Sequence, residues 1–160
     1  VLEVESEPNK GTTFHIYIPK KILGDEISEK KESSATGGSE HILHVDDEEM
    51  VSETAKMVLE RQGYTVEIAR TGLEALEIFK ASPDKFDLVI TDLTMPKMTG
   101  DVLAQEILKI RPGFPIILCS GFTRNYDPAI YKKMGIRSLL MKPFSLFEIG
   151  KVIREALDNN

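Results

Sequence analysis

Three observations predict an α/β fold, a doubly wound parallel sheet with helices on both faces, for this 160-residue chain. From residue 40 onward, strand-like and helix-like segments alternate to the end of the sequence. The strand-like segments are continuous apolar runs, so both of their faces need cover, which crossover helices between parallel strands supply. Several of these runs also end in Asp, Ser or Lys, at the carboxyl edge where sheets of this class collect their ligands.

The first segment stands apart from that pattern. Leu2 and Val4 alternate with acidic residues, and Phe14, Ile16 and Ile18 alternate with Thr13, His15 and Tyr17, on either side of Glu7-Pro8-Asn9-Lys10-Gly11. This is a β-hairpin signature. A lone hairpin is marginal in water, so residues 1–20 are expected to belong to a sheet whose remainder lies outside this sequence. Residues 21–39 carry few apolar side chains and end in Ser33-Ser34-Ala35-Thr36-Gly37-Gly38-Ser39, the composition of a flexible linker. Residues 40–160 are expected to form the main domain.

Its first strand is His41–Val45, and a helix runs from about Glu48 to Gln62, where Gly63 stops it. Tyr64–Ala69 is the second strand. Thr71-Gly72-Leu73-Glu74 opens the next helix as a capping box, with Leu73, Leu76 and Phe79 facing inward and Pro83 beyond its end. The third strand, Asp87–Thr91, leads through a loop to a helix carrying Leu103, Ile107 and Ile110, closed by Pro112-Gly113. Ile116–Cys119 is the fourth strand, and Asp127-Pro128 caps a short helix that Gly135 ends. Ile136–Met141 is the fifth. A second capping box, Ser145-Leu146-Phe147-Glu148, starts the last helix, which buries Ile149, Val152, Ile153 and Leu157 before Asn160.

With 41% apolar and 29% charged residues and a net charge of -6, the chain needs no disulfide or metal to stabilise its core. Cys119 is the single cysteine, which fits a reducing, cytoplasmic compartment, and no apolar run approaches the ~18 residues of a membrane span. Lys and Arg are spread evenly, which argues against a nucleic-acid partner. No Met precedes Val1, and the sequence reads as a piece of a longer protein.

Past the first strand come Asp46 and Asp47, past the third Asp92, at the end of the fourth Ser120, and past the fifth Lys142 with Pro143. A parallel sheet brings all of them to one edge. Gathered carboxylates repel unless protonated or bridged by a cation, and an all-oxygen set of this charge suits Mg²⁺. Beside Mg²⁺, one aspartate can attack phosphorus while a Lys ammonium neutralises the oxygens of the transferring group and the Ser120 hydroxyl hydrogen-bonds them. Each residue alone is an ordinary cap or turn former; their placement after four strands of one sheet makes a site.

These residues resemble the response-regulator receiver domain of two-component signalling. The marks are Val45-Asp46-Asp47-Glu48, Thr91-Asp92-Leu93-Thr94-Met95-Pro96-Lys97-Met98-Thr99-Gly100, Ser120-Gly121 and Lys142-Pro143-Phe144. The resemblance implies a flavodoxin-like strand order of 2-1-3-4-5 and makes Asp92 the phosphoacceptor. It implies that Asp47, Asp92 and the carbonyl of Thr94 ligate Mg²⁺, that Asp46 acts through bound water, and that Ser120 and Lys142 hold the phosphoryl oxygens. The implied partner is a histidine-kinase or histidine-phosphotransfer domain.

The N-terminal stretch Val4-Glu5-Ser6-Glu7-Pro8-Asn9-Lys10-Gly11-Thr12-Thr13-Phe14, with Ile16, Ile18 and Pro19, is similar to the closing hairpin of a histidine-kinase ATP-binding domain. That family's nucleotide motifs and phosphorylatable-histidine helix are missing from these residues. The chain is therefore expected to show receiver-type phosphorylation and dephosphorylation but no kinase activity, as the C-terminal tail of a hybrid sensor kinase would.

Receivers often carry an aromatic residue three positions before the lysine, and here Leu139 stands there. In receivers the positions of Phe122 and Thr94 flank the path of the hydrolytic water, and the resemblance implies that the bulk of Phe122 prolongs the phosphoryl lifetime. His15, His41 and His44 do not have metal-ligand spacing and are read as structural, as is Cys119. Two other functions compete. A haloacid-dehalogenase-type phosphatase also uses an aspartate nucleophile with Mg²⁺, but it places an acid two residues later, where this chain has Thr94. An interaction module that is never phosphorylated would have no use for an acidic cluster that lowers stability.

Overall fold

The apolar pattern resolves into two units, Val1–Lys30 and Lys31–Asn160, in the computed structural model of the chain, which describes residues 2–17, 37–121 and 128–158. In the first unit, strands β1 (Leu2–Glu7) and β2 (Gly11–Ile16) pair antiparallel with Val4 opposite Phe14. The turn closes through the Lys10 N–H on the Glu7 carbonyl at 3.0 Å, with Asn9 in the left-handed region. Val4, Phe14 and Ile16 are exposed within this unit. Ile18, residues 21–36 of the expected linker, Phe122, Asp127 and Asn160 lie outside the described residues.

The second unit holds a five-stranded sheet of β3 (His41–Val45), β4 (Thr65–Ala69), β5 (Leu88–Asp92), β6 (Ile116–Ser120) and β7 (Ser138–Met141). Its order is β4-β3-β5-β6-β7, all parallel, which is 2-1-3-4-5 when these strands are numbered within the domain. Helices α1 (Glu49–Arg61), α2 (Gly72–Ala81), α3 (Gly100–Ile110), α4 (Pro128–Lys133) and α5 (Leu146–Asp158) connect or follow the strands. Alternate strand residues enter two separate cores. Leu43, Val45, Val89, Ile116 and Leu118 pack with α2 and α3 side chains such as Phe79 and Ile107. Ile42, Leu88, Ile90, Ile117 and Cys119 pack with Leu59 of α1 and Ile149 and Ile153 of α5. This two-sided burial is why the strands read as unbroken apolar runs.

The capping box at Ser145 is reciprocal: Ser145 Oγ accepts the Glu148 N–H at 3.2 Å and Glu148 Oε2 accepts the Ser145 N–H at 2.7 Å. At α2 Thr71 Oγ1 accepts the Glu74 N–H at 3.1 Å, but Glu74 Oε2 reaches past Thr71 to accept the Arg70 N–H at 2.7 Å. Some expected core residues are corrected: Leu73 is 47% exposed, and Val152 and Leu157 of α5 are only partly buried. The inward stripe of α2 is Gly72, Ala75, Leu76 and Phe79, turned one residue from the expected one because Gly72 lets the helix lie against Met98. In α3 the stripe is likewise Gly100, Leu103, Ala104 and Ile107, and Ile110 in its last turn faces outward.

Candidate functional site

The strand order reverses between β3 and β5, and the crevice beyond their carboxyl ends is where such sheets bind ligands. Asp46 follows β3 and Asp92 ends β5. Lys142, just past β7, reaches both: its Nζ lies 2.8 Å from Asp46 Oδ2 and 2.7 Å from Asp92 Oδ1. Burial opposes the charge of Lys142, but the hydrogen bonds to the two carboxylates outweigh it and hold the ammonium above the usual lysine range. The Lys142 N–H also donates to the Ser120 carbonyl at 2.8 Å, so the lysine backbone is tied to the neighbouring strand.

The two carboxylates differ. Asp46 is almost fully buried, its Oδ1 taking the Glu48 N–H at 3.0 Å and its carbonyl taking the Ser52 hydroxyl at 3.0 Å. Its side chain is 3% exposed, against 11% for that of Asp92. Asp92 Oδ2 accepts the Thr94 N–H at 2.7 Å, so both of its oxygens are held while an approach from solvent remains. Ser120 is buried at the end of β6. Asp47 is exposed and makes no hydrogen bond or ion pair among the described residues. The structure thus places Asp46, Asp92 and Lys142 in direct contact and Ser120 on the adjoining strand, with Asp47 and Thr94 at the surface of the same edge.

Two further residues shape the site and were not singled out from sequence. Ser52 sits seven residues before Leu59 on the buried face of α1, a polar residue in an apolar stripe. That is the one signal that pointed to it. Gly100 permits the close approach of α3 to β5, because a Cβ there would overlap the Asp92 carbonyl oxygen. Met95 and Met98, on either side of Pro96, anchor the β5–α3 loop in the core, and Lys97 between them takes a φ of 67°. Two buried groups line the floor below. Burial pushes the His44 pKa down to about 4 and the Cys119 thiol up to about 12. His44 is therefore neutral and Cys119 protonated near pH 7.

The donor set fits a small hard cation. Its side chains offer carboxylate oxygens and its backbone a carbonyl, and the carboxylates already draw a lysine ammonium between them, so this edge attracts positive charge. Among the described residues no three His, Cys, Asp or Glu side chains converge tightly enough to enclose a metal.

Residues 42–154 match the response regulator receiver domain family. The chain belongs to that family. The receiver is 35% identical over 163 residues to the sensor kinase CckA of Brucella abortus, across 96% of this chain and 17% of that protein. It is 32% identical over 160 residues to the aerobic respiration control sensor protein ArcB of Escherichia coli, across 98% of this chain and 20% of that protein. The chain therefore spans about a fifth of the length of these sensor proteins. A receiver-domain crystal structure from Clostridium thermocellum superposes with a TM-score of 0.71 at 32% identity, covering 74% of this chain and 94% of that one. The non-phosphorylated HemR receiver of Leptospira biflexa gives 0.69 at 30% identity, covering 76% and 97%. The fold is the flavodoxin-like receiver fold with the expected strand order, and the function class is two-component signalling. Receiver domains generally accept a phosphoryl group on an aspartate with Mg²⁺, from histidine-kinase or phosphotransfer partners. No helix of the described residues is long and apolar enough to cross a membrane.

Proposed function

We propose that this receiver takes a phosphoryl group from a phosphohistidine onto Asp92, and passes it on or loses it to water. One observation carries the assignment. Asp92 is the carboxylate at the sheet edge that is both fixed, by the Thr94 N–H and the Lys142 ammonium, and open to an incoming group. Asp46 is too deeply enclosed, and among the described residues nothing holds Asp47 in one orientation.

An Asp92 oxygen attacks phosphorus as the bond to the imidazole nitrogen of the donor breaks, and the departing imidazole takes its proton from solvent. Lys142 stands 2.7 Å from the attacking carboxylate and shifts its ammonium onto a phosphoryl oxygen as negative charge gathers there. Asp46, held by the Glu48 N–H and braced through Ser52, keeps Lys142 in place during that change. The Ser120 hydroxyl binds a second phosphoryl oxygen. Asp46, Asp47, Asp92 and the Thr94 carbonyl would hold Mg²⁺, which when bound neutralises phosphoryl charge.

Residues 1–20 are read as the closing hairpin of a histidine-kinase ATP-binding domain, 21–39 as the linker and 40–160 as the receiver. The exposed Val4, Phe14 and Ile16 of β1 and β2 support the first of these, since an apolar hairpin face belongs against a larger sheet. The partner is a histidine-kinase or histidine-phosphotransfer domain in the cytoplasm, with no nucleic acid. The chain itself does not phosphorylate histidine. Incubation with acetyl phosphate and Mg²⁺ is expected to label the protein, and Asp92→Asn to abolish labelling. Equal labelling of the variant would reject Asp92 as acceptor.

A further inference from the structure

Two hydroxyl residues stand two positions apart on α1 and bond differently. Thr54 is exposed, and its Oγ1 donates to the Met50 carbonyl four residues earlier at 2.6 Å, the ordinary habit of a hydroxyl inside a helix. Ser52 is fully buried, and its Oγ instead reaches six residues back, out of the helix, to donate to the Asp46 carbonyl at 3.0 Å. The Asp46 N–H is tied to the Ala69 carbonyl of β4 at 3.3 Å, and its Oδ1 takes the Glu48 N–H at 3.0 Å. Asp46 is thus held at its amide, its side chain and its carbonyl.

The third of these bonds reaches beyond Asp46. A peptide group is planar, so the Asp46 carbonyl shares one plane with the nitrogen and Cα of Asp47. Fixing that oxygen therefore fixes where the Cα of Asp47 stands at the sheet edge. The Asp47 side chain is exposed and makes no hydrogen bond or ion pair among the described residues, so its backbone is what aims it. We propose that Ser52 is a positioning residue for the cation site: through the Asp46–Asp47 peptide, its hydroxyl sets the backbone from which Asp47 presents its carboxylate to a divalent cation. This rests on the reading of Asp47 as a cation ligand. Groups that hold a metal ligand from behind set affinity by about 10- to 100-fold, because a ligand already in place gives up less freedom when the cation arrives. The hydroxyl is itself well anchored. Burial keeps water from competing for the Asp46 carbonyl, and the Ser52 N–H donates to the Glu48 carbonyl at 3.0 Å, at the start of the helix.

The test is an NMR titration of the isotope-labelled 160-residue chain with Mg²⁺, following the amides of Asp47 and Thr94. It is run without a phosphodonor, so it reads cation binding and not phosphorylation. Ser52→Ala is expected to weaken Mg²⁺ about tenfold, while Ser52→Thr, which keeps a hydroxyl, stays within about threefold of the parent. Asp47→Asn is expected to weaken Mg²⁺ as well, and adding Ser52→Ala to it should cost nothing more, because the contribution of Ser52 passes through Asp47. Unchanged Leu103 and Ile107 methyl shifts in each variant show that the fold is intact. Parental affinity in Ser52→Ala, an equal loss in Ser52→Thr, or a further loss of about tenfold on top of Asp47→Asn would overturn the proposal while leaving Asp47 a ligand. Parental affinity in Asp47→Asn would remove Asp47 from the ligand set, and the proposal with it.

Discussion

Lys142 and Arg154 each bridge two carboxylates, at opposite ends of the same sheet, and the two clusters do different things. Lys142 joins Asp46 and Asp92 at 2.8 and 2.7 Å; Arg154 joins Glu40 and Asp158 at 2.7 and 2.9 Å. Hydrogen bonding to Arg154 holds the Glu40 carboxyl below its usual range and the guanidinium above its own. The distances are nearly the same, so geometry of the pairs does not distinguish a site from a staple. Surroundings do. Asp46 and Asp92 are enclosed, with backbone N–H groups aimed at their oxygens, whereas Asp158 is 66% exposed and water shares its charge. The first cluster concentrates enclosed charge at the carboxyl edge of the sheet, while the second ties the residue before β3 to the last helix.

The largest expected effect that would sharpen this contrast is on labelling. Asp92→Asn should remove acetyl-phosphate labelling altogether, while Arg154→Met should leave its rate within about twofold, because that cluster lies at the opposite end of the sheet. A strong loss of labelling in Arg154→Met would break the comparison. Next is stability in Mg²⁺-free buffer. Lys142→Met leaves Asp46 enclosed and unpaired, and should cost about 3 kcal/mol in a urea melt, part of which returns on adding Mg²⁺. Gly100→Ala forces a methyl against the Asp92 carbonyl and should cost about 2 kcal/mol while also slowing labelling. Arg154→Met leaves the half-buried Glu40 carboxylate without its ion-pair partner and should cost about 1 kcal/mol.

Cys119 supplies a pH test of how dry the sheet is beneath the functional edge. Burial lifts its thiol from 9.0 to about 12, so between those values the unfolded chain gives up a proton that the native chain keeps. Stability should therefore fall as pH rises through that window, and iodoacetamide at pH 8 should alkylate the unfolded chain rapidly and the native chain slowly. Rapid alkylation of the native protein would mean that water reaches the floor of the site.

Strand and helix identities were legible because residues such as Ile42–Leu43 and Ile116–Ile117–Leu118 are buried on both faces, and because Thr71–Glu74 and Ser145–Glu148 are local signals. The inward turn of α2 was less so. Leu73 outranks Ala75 in hydrophobicity, yet the close approach of Gly72 to Met98 selects the face with Ala75. At the site, Asp46, Asp92 and Lys142 were legible as strand-end residues. The brace from Ser52 to the Asp46 carbonyl and the clearance at Gly100 depend on tertiary contacts that no local pattern encodes. The hairpin shows the converse limit. Its alternation predicts β1 and β2 correctly, but the same alternation does not say what covers Val4 and Phe14.

The most direct test of the central claim is to treat the protein with acetyl phosphate, reduce it with borohydride, and locate any homoserine by peptide mass spectrometry. The account predicts conversion of Asp92 alone, and only when Mg²⁺ was present during phosphorylation. Conversion at Asp46 or Asp47, or conversion at Asp92 that is indifferent to Mg²⁺, would contradict it.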